Sequence, residues 1–482
     1  MNYRSIFRII GKVLWVEAVF MLPALVISIG LQEWGAVRGI AITMAAAGMI
    51  GYPLNRTPGK RPDIYARDGL VTVGAAWLAV SLVGALPFWL SGAIPNYFDC
   101  LFETASGFTT TGATILAEIE SLPHGLLYWR SFTHWLGGMG VLVFLLALNP
   151  LAQKDSGENM HLLRAESPGV RASKLVPRMR ESASILYLIY IALTLLEFLL
   201  LLIGKVPVFD SLTLAFGTAG TGGFTIRNDS AASYSAYAQW ILIIFMFLFS
   251  VNFNIYFLIL LRQIKKAFQN SELRTFTLLF CVGTLLIWAS TRHYWSNAEE
   301  GLRTSAFQVV SIMSTTGFVS TDFDLWPEFS RALIVLLMFV GACAGSTGGG
   351  MKVVRVQLLI KSAGRSIYRA IHPNAVRLVH LDDEIVDDAT VHGVDGYILV
   401  YFLTIAAATV LVSVDGFSFE SNFSAALSCM SNVGPGLGAV GAVQNYSGFS
   451  DFSKVVLTIT MLIGRLEIYP VLALVAPSVW KK

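Results

Sequence analysis

GFTTTGAT at residues 107–114 has three companions: GTGGFT at 220–225, STTGFVST at 314–321 and SNVGPGLG at 431–438. Each closes a short mixed segment (97–114, 209–225, 304–320 and 419–436), after a short pore-helix candidate, and precedes a long apolar run. A Thr/Gly cluster taken alone reads as a turn. Four in equivalent places of similar hydropathy units read as an internal repeat. The stretches align on Gly112, Gly223, Gly317 and Gly434. In the second, Gly220 and Gly222 compete. Gly223 is preferred because Thr221-Gly222-Gly223-Phe224 superposes on Thr315-Thr316-Gly317-Phe318. Thr110-Thr111-Gly112 then matches both, and the fourth copy reads Asn432-Val433-Gly434.

Outward from these stretches lie apolar runs near 13–31, 36–54, 70–92, 131–150, 183–204, 238–261, 275–290, 331–360, 396–413 and 454–477. Each reaches or approaches the ~20 residues that cross hydrocarbon. The mixed segments are too short and polar to cross and read as re-entrant. The expected fold is therefore an all-α integral membrane protein with about ten full spans: two N-terminal transmembrane helices, then four helix–pore loop–helix repeats around a pseudo-fourfold pore. The expected boundaries are 1–68 for the extension and 69–180, 181–270, 271–392 and 393–482 for the repeats.

Composition agrees. Of 482 residues, 55% are hydrophobic and 13% charged, against about 25% charged in soluble domains. The net charge is +3, and no basic run suggests nucleic acid. Most Lys and Arg fall in residues 1–12, 55–68, 151–181, 262–274, 352–377 and 481–482. The positive-inside rule makes that side cytoplasmic, with both termini. Val13–Leu31 follows Arg4, Arg8 and Lys12 but is long for a signal peptide and contains Glu17, so it reads as a retained helix. Cys100, Cys281, Cys343 and Cys429 are far apart and read as small buried hydrophobes. No histidine spacing suggests zinc. No nucleophile–base pair suggests an enzyme.

The loop chemistry suits a dehydrated monovalent cation. Backbone carbonyls converging on one axis replace its water shell. Aiming successive carbonyls inward needs φ > 0, which glycine supplies. Thr hydroxyls add oxygens at the inner mouth, and the helices before the loops point their negative ends at the axis. The candidate ion ligands are Thr110, Thr111, Gly112, Thr221, Gly222, Gly223, Thr315, Thr316, Gly317, Asn432, Val433 and Gly434. Residues 331–360 are too long for one straight span and contain Gly345-Ser346-Thr347-Gly348-Gly349-Gly350, which is expected to unwind. A phosphate loop is excluded, since Met351 follows Gly350. Arg465 lies deep in the last apolar run and needs an interior partner. Glu467 is on a different helix face and is a poor one. Glu103, Glu197 and Asn252 or Asn254 read equally as groups that hydrogen-bond between helices or as functional groups, and none is assigned to the site.

With these features the chain resembles the Trk/Ktr/HKT superfamily of potassium transporters, closest to the bacterial Trk-type membrane subunit. The resemblance implies potassium as the transported ion, no organic cofactor, and a bacterial inner-membrane location. It implies that Gly345–Gly350 is the gate and that Arg465 contacts it below the filter. Glycine in every loop goes with potassium in this family, and serine in the first loop with sodium in some plant members. Asn432 and the missing second filter glycine imply a shorter, less selective filter that passes rubidium and some sodium. The implied partners are membrane lipid, a second copy in a homodimer, and a separate cytoplasmic nucleotide-binding ring (NAD(H) or ATP/ADP) docking on loops 151–181 and 362–392. A proton- or sodium-coupled secondary transporter is the alternative. Like-oriented repeats favour a pore over it.

Overall fold

The computed structural model describes residues 3–56, 66–140, 179–374, 378–382 and 384–480. Six helical stretches are long and apolar enough to cross a membrane: Tyr3–Gly30, Trp34–Asn55, Arg67–Leu90, Ser184–Ile203, Ser271–Tyr294 and Asp388–Asp415. The first two form the N-terminal extension. They cross where Gly11 meets Gly51: a Cβ on either would lie 2.8 Å from the other's carbonyl oxygen. Small residues permit this close approach between membrane helices. The other four are the leading helices of the repeats. In Ser184–Ile203 only 28% of the apolar window is buried, and Leu188, Leu195 and Leu199 face outward. Such a surface suits lipid. Cys281 also faces outward, whereas Cys100, Cys343 and Cys429 are buried as expected.

Each leading helix is followed by a short pore helix: Tyr97–Phe108, Val208–Gly220, Ala298–Met313 and Phe419–Ser431. Their starts follow from sequence. Asn96, Asn297 and Ser418 cap three of them by accepting backbone N–H groups, and Pro207 starts the second. Every one has acid in its first turn, favourable at the positive end of the helix dipole. Those acids are paired: Asp99 with Lys454, Asp210 with Arg227, Glu299 with Arg303 and Glu420 with Arg331.

The trailing helices begin at His124, Ala236, Glu328 and Asp451 and end at Gly138, Ser250, Val340 and Arg465. The sequence suggested one broken trailing helix, the third. The second and fourth are broken too. The second turns by 90° before Phe253–Leu260, where the Asn252 side chain caps Asn254 N–H. The fourth stops at Leu466, and Glu467 and Ile468 both take positive φ before Tyr469–Val475. The third opens over residues 341–352 and resumes as Val353–Ile371. Beyond it, Val379–Leu381 and Glu384–Val386 pair as a small antiparallel ribbon in this otherwise helical molecule.

Candidate ion pathway

Four pore helices end at equivalent points, and the loops that leave them share one backbone path. Thr110, Thr221, Thr315 and Asn432 take left-handed φ of 55°, 54°, 59° and 55°. Two residues on, Gly112, Gly223, Gly317 and Gly434 take φ of 78°, 75°, 79° and 100°. Gly223 thus fixes the register of the second loop over Gly220 and Gly222.

The loops meet in a closed ring. A Cβ on Gly112 would lie 2.1 Å from the Gly222 oxygen; one on Gly223, 2.0 Å from Thr316 O; one on Gly317, 2.0 Å from Val433 O; and one on Gly434, 2.6 Å from Thr111 O. Each glycine therefore faces the carbonyl of the residue preceding the next loop's glycine, and the fourth loop returns to the first. Both the positive φ and the lack of space exclude a side chain.

Buried backbone carbonyls are nearly always hydrogen-bonded. In this ring, buried except at the half-buried Gly112, Gly223 and Gly317, they are not. Among the described residues, no carbonyl of the twelve candidate ligands accepts a hydrogen bond except that of Gly434. The side-chain oxygens Thr110 Oγ1 and Asn432 Oδ1 are also buried without a partner. The Asn432 amide is held in place, donating to Thr111 Oγ1 at 2.9 Å and to Met461 O at 3.0 Å. Oxygens clustered without donors are the kind of group that can replace the water around a cation.

The seams between loops are braced by different residues, most of them missed in sequence. Between loops 1 and 2, Glu103 and Arg130 form a fully buried ion pair at 2.6 Å. Glu103 accepts from Thr114 Oγ1 and Ile115 N–H, and Arg130 donates to Thr225 O. His134 bridges Gly107 O and Phe224 N–H. Between loops 2 and 3, Ala231 N–H donates to Val319 O and Val319 N–H to Ser230 Oγ. Between loops 3 and 4, Asp324 accepts Gly438 N–H. The one sequence signal was polarity inside apolar surroundings, and it does not say what such a group holds.

The Gly-rich stretch lies against the end of this ring where the pore helices terminate. Gly349 N–H donates to Thr315 Oγ1 at 2.6 Å. A Cβ on Gly348 would lie 2.8 Å from Ser314 O, and one on Gly349, 2.5 Å from Ser431 O. The stretch interlocks with the break in the second trailing helix: Cys343 N–H donates to Ser250 O, Phe253 N–H to Gly345 O, and Thr347 Oγ1 to Phe249 O. Arg465 donates to Thr347 O at 2.8 Å and to Gly138 O at 2.7 Å. Its charge thus spans the stretch and the carbonyl end of the first trailing helix, where the dipole is negative. Lys352 Nζ donates to Gly348 O inside the loop. Glu272 accepts Ala344 N–H at 2.7 Å and Val354 N–H at 3.2 Å, clasping both ends. Glu467 pairs with Arg355 rather than with Arg465.

The family profile described as TrkH, cation transport protein, matches residues 36–482. The Trk system potassium uptake protein TrkH of Salmonella typhimurium is 34% identical over 496 residues, covering all of both chains. That of Halomonas elongata is 35% identical over 491 residues, again covering both completely. The crystal structure of the potassium transporter TrkH from Vibrio parahaemolyticus superposes with a TM-score of 0.90 at 29% identity, over the full length of both.

Proposed function

The chain belongs to the TrkH family of cation transport proteins, and from that premise we propose that it takes up potassium across the membrane through its four-loop ring. The observation that carries this reading is the set of loop carbonyls, most of them on buried residues, that have no protein donor. Stripping water from a cation is costly, and fixed oxygens that need no reorganisation offset that cost. Thr110, Thr111, Gly112, Thr221, Gly222, Gly223, Thr315, Thr316, Gly317, Asn432, Val433 and Gly434 are the filter. Gly345–Gly350 is the gate, held shut by Arg465, whose charge raises the barrier to cations. Backbone contacts from Gly349 to Thr315 and from Arg465 to Thr347 support that role.

The side rich in Lys and Arg is cytoplasmic, with both termini, and the membrane is the bacterial inner one. The chain works as a homodimer, and a nucleotide-binding ring docks on its cytoplasmic face. Of the two loops assigned to that docking, residues 151–178 lie outside the described residues. The 362–392 segment contributes the ribbon Val379–Val386.

Potassium and sodium fluxes into proteoliposomes test the reading. The wild type passes potassium in preference to sodium. Gly112→Ser reduces that preference. Deleting Gly345–Gly350 raises basal flux. Equal selectivity and equal flux in all three proteins would remove the assignment.

A further inference from the structure

The ring is fourfold in backbone but not in chemistry. Gly434 departs in two ways. Its φ is 100° where its three counterparts lie between 75° and 79°. Its carbonyl also accepts the Tyr446 hydroxyl at 2.8 Å. Among the described residues no donor reaches the carbonyl of Gly112, Gly223 or Gly317.

Tyr446 is well placed to hold that carbonyl. Its ring is 2% exposed and packs on Phe102 and Phe449 at centroid distances of 5.4 and 5.9 Å. Its own N–H donates to Thr114 O at 2.8 Å, on the outgoing limb of the first loop. The phenol is thus anchored at the seam between the fourth and first loops, with its hydroxyl donating to one filter oxygen and close to the side chains of Ser428 and Cys429.

We propose that Tyr446 is a specificity-determining residue that occupies the Gly434 carbonyl and leaves the ion three free glycine oxygens at that level instead of four. The inference rests on the filter reading above. A carbonyl that accepts a phenol O–H has a lone pair in use and its dipole aimed at the donor. It gives a passing cation a weaker, misaligned oxygen. Potassium needs more oxygens to replace its water than sodium does, so an incomplete ring costs potassium more. Tyr446 therefore lowers both potassium affinity and discrimination against sodium.

Tyr446→Phe keeps the aromatic ring and removes the hydroxyl that donates to Gly434 O. Potassium and sodium fluxes are measured in proteoliposomes over a range of concentrations. The half-saturating potassium concentration is expected to fall about two- to tenfold, the range that one neutral hydrogen bond allows. The potassium-to-sodium flux ratio is expected to rise. Phe449→Leu removes packing on the same ring but leaves the hydroxyl, and should keep the wild-type ratio. A role in packing alone would change maximal flux and spare both ratio and half-saturation. An unchanged or lower ratio in Tyr446→Phe, or an equal rise in Phe449→Leu, overturns the proposal. A wild type that passes no potassium overturns the filter reading instead, so the two failures are distinguishable.

Discussion

Gly112 has no room for even a methyl group, because the Gly222 oxygen occupies the space where a Cβ would go. A serine there also pays about 1–2 kcal/mol for its left-handed backbone. Gly223→Ala and Gly317→Ala meet the same obstacle, each with a carbonyl 2.0 Å from the new carbon. Both are expected to lose potassium preference as Gly112→Ser does, measured as the potassium-to-sodium flux ratio. The buried Glu103–Arg130 pair makes a different prediction. Glu103→Ala leaves Arg130 charged, buried and unpaired, which costs about 3–5 kcal/mol. The expected outcome is a clearly lower thermal unfolding midpoint in detergent. The four loops were legible in sequence because their shared backbone conformation selects Thr-x-Gly directly. Glu103, His134 and Tyr446 were not, because their roles depend on partners 11 to 90 residues away.

Among elements, the loop over residues 341–352 does most to connect parts of the molecule. Its glycines announced the break in advance. The break after Ser250 carried no such mark, since Asn252 is no strong breaker by propensity, whereas the break after Leu466 is marked by Pro470, which cannot donate back to Leu466. Tertiary contacts hold those breaks open: Cys343 N–H takes the Ser250 carbonyl, and Glu467 reaches Arg355. Glu272 clasps both ends of the loop through two backbone N–H groups. Buried hydrogen bonds of this kind contribute about 0.5–1.5 kcal/mol each. Glu272→Ala is therefore expected to raise basal potassium flux several-fold, as is Arg465→Ala. Single-channel recording or tracer uptake without any added partner checks both. Gly348 and Gly349 also face the pore-helix ends closely, so bulky residues there should disturb the filter as well as the loop.

At the scale of the whole molecule, the hydropathy pattern revealed the repeat but not the order in which copies meet. That order is cyclic, with each glycine against the next loop's carbonyl. It could not be read from sequence because all four loops look alike there. The lipid-facing surface yields a further test. Cys281 lies outward on the third leading helix, while Cys100, Cys343 and Cys429 are buried. An apolar maleimide should label Cys281 in native membranes and spare the other three until the protein unfolds. Mass spectrometry of the labelled peptides decides it.

Asn432 Nδ2 bonds Thr111 Oγ1 across 321 residues of chain. That bond joins the last loop to the first, so the conducting path has a birth date during synthesis. While a ribosome is still making residues before 419, three loops stand in the bilayer with an open side and no complete cage for an ion. Contacts of such sequence separation form late. A nascent chain therefore finishes insertion before it can leak, and a truncated product lacking the fourth copy should leave the cell's ion gradients intact.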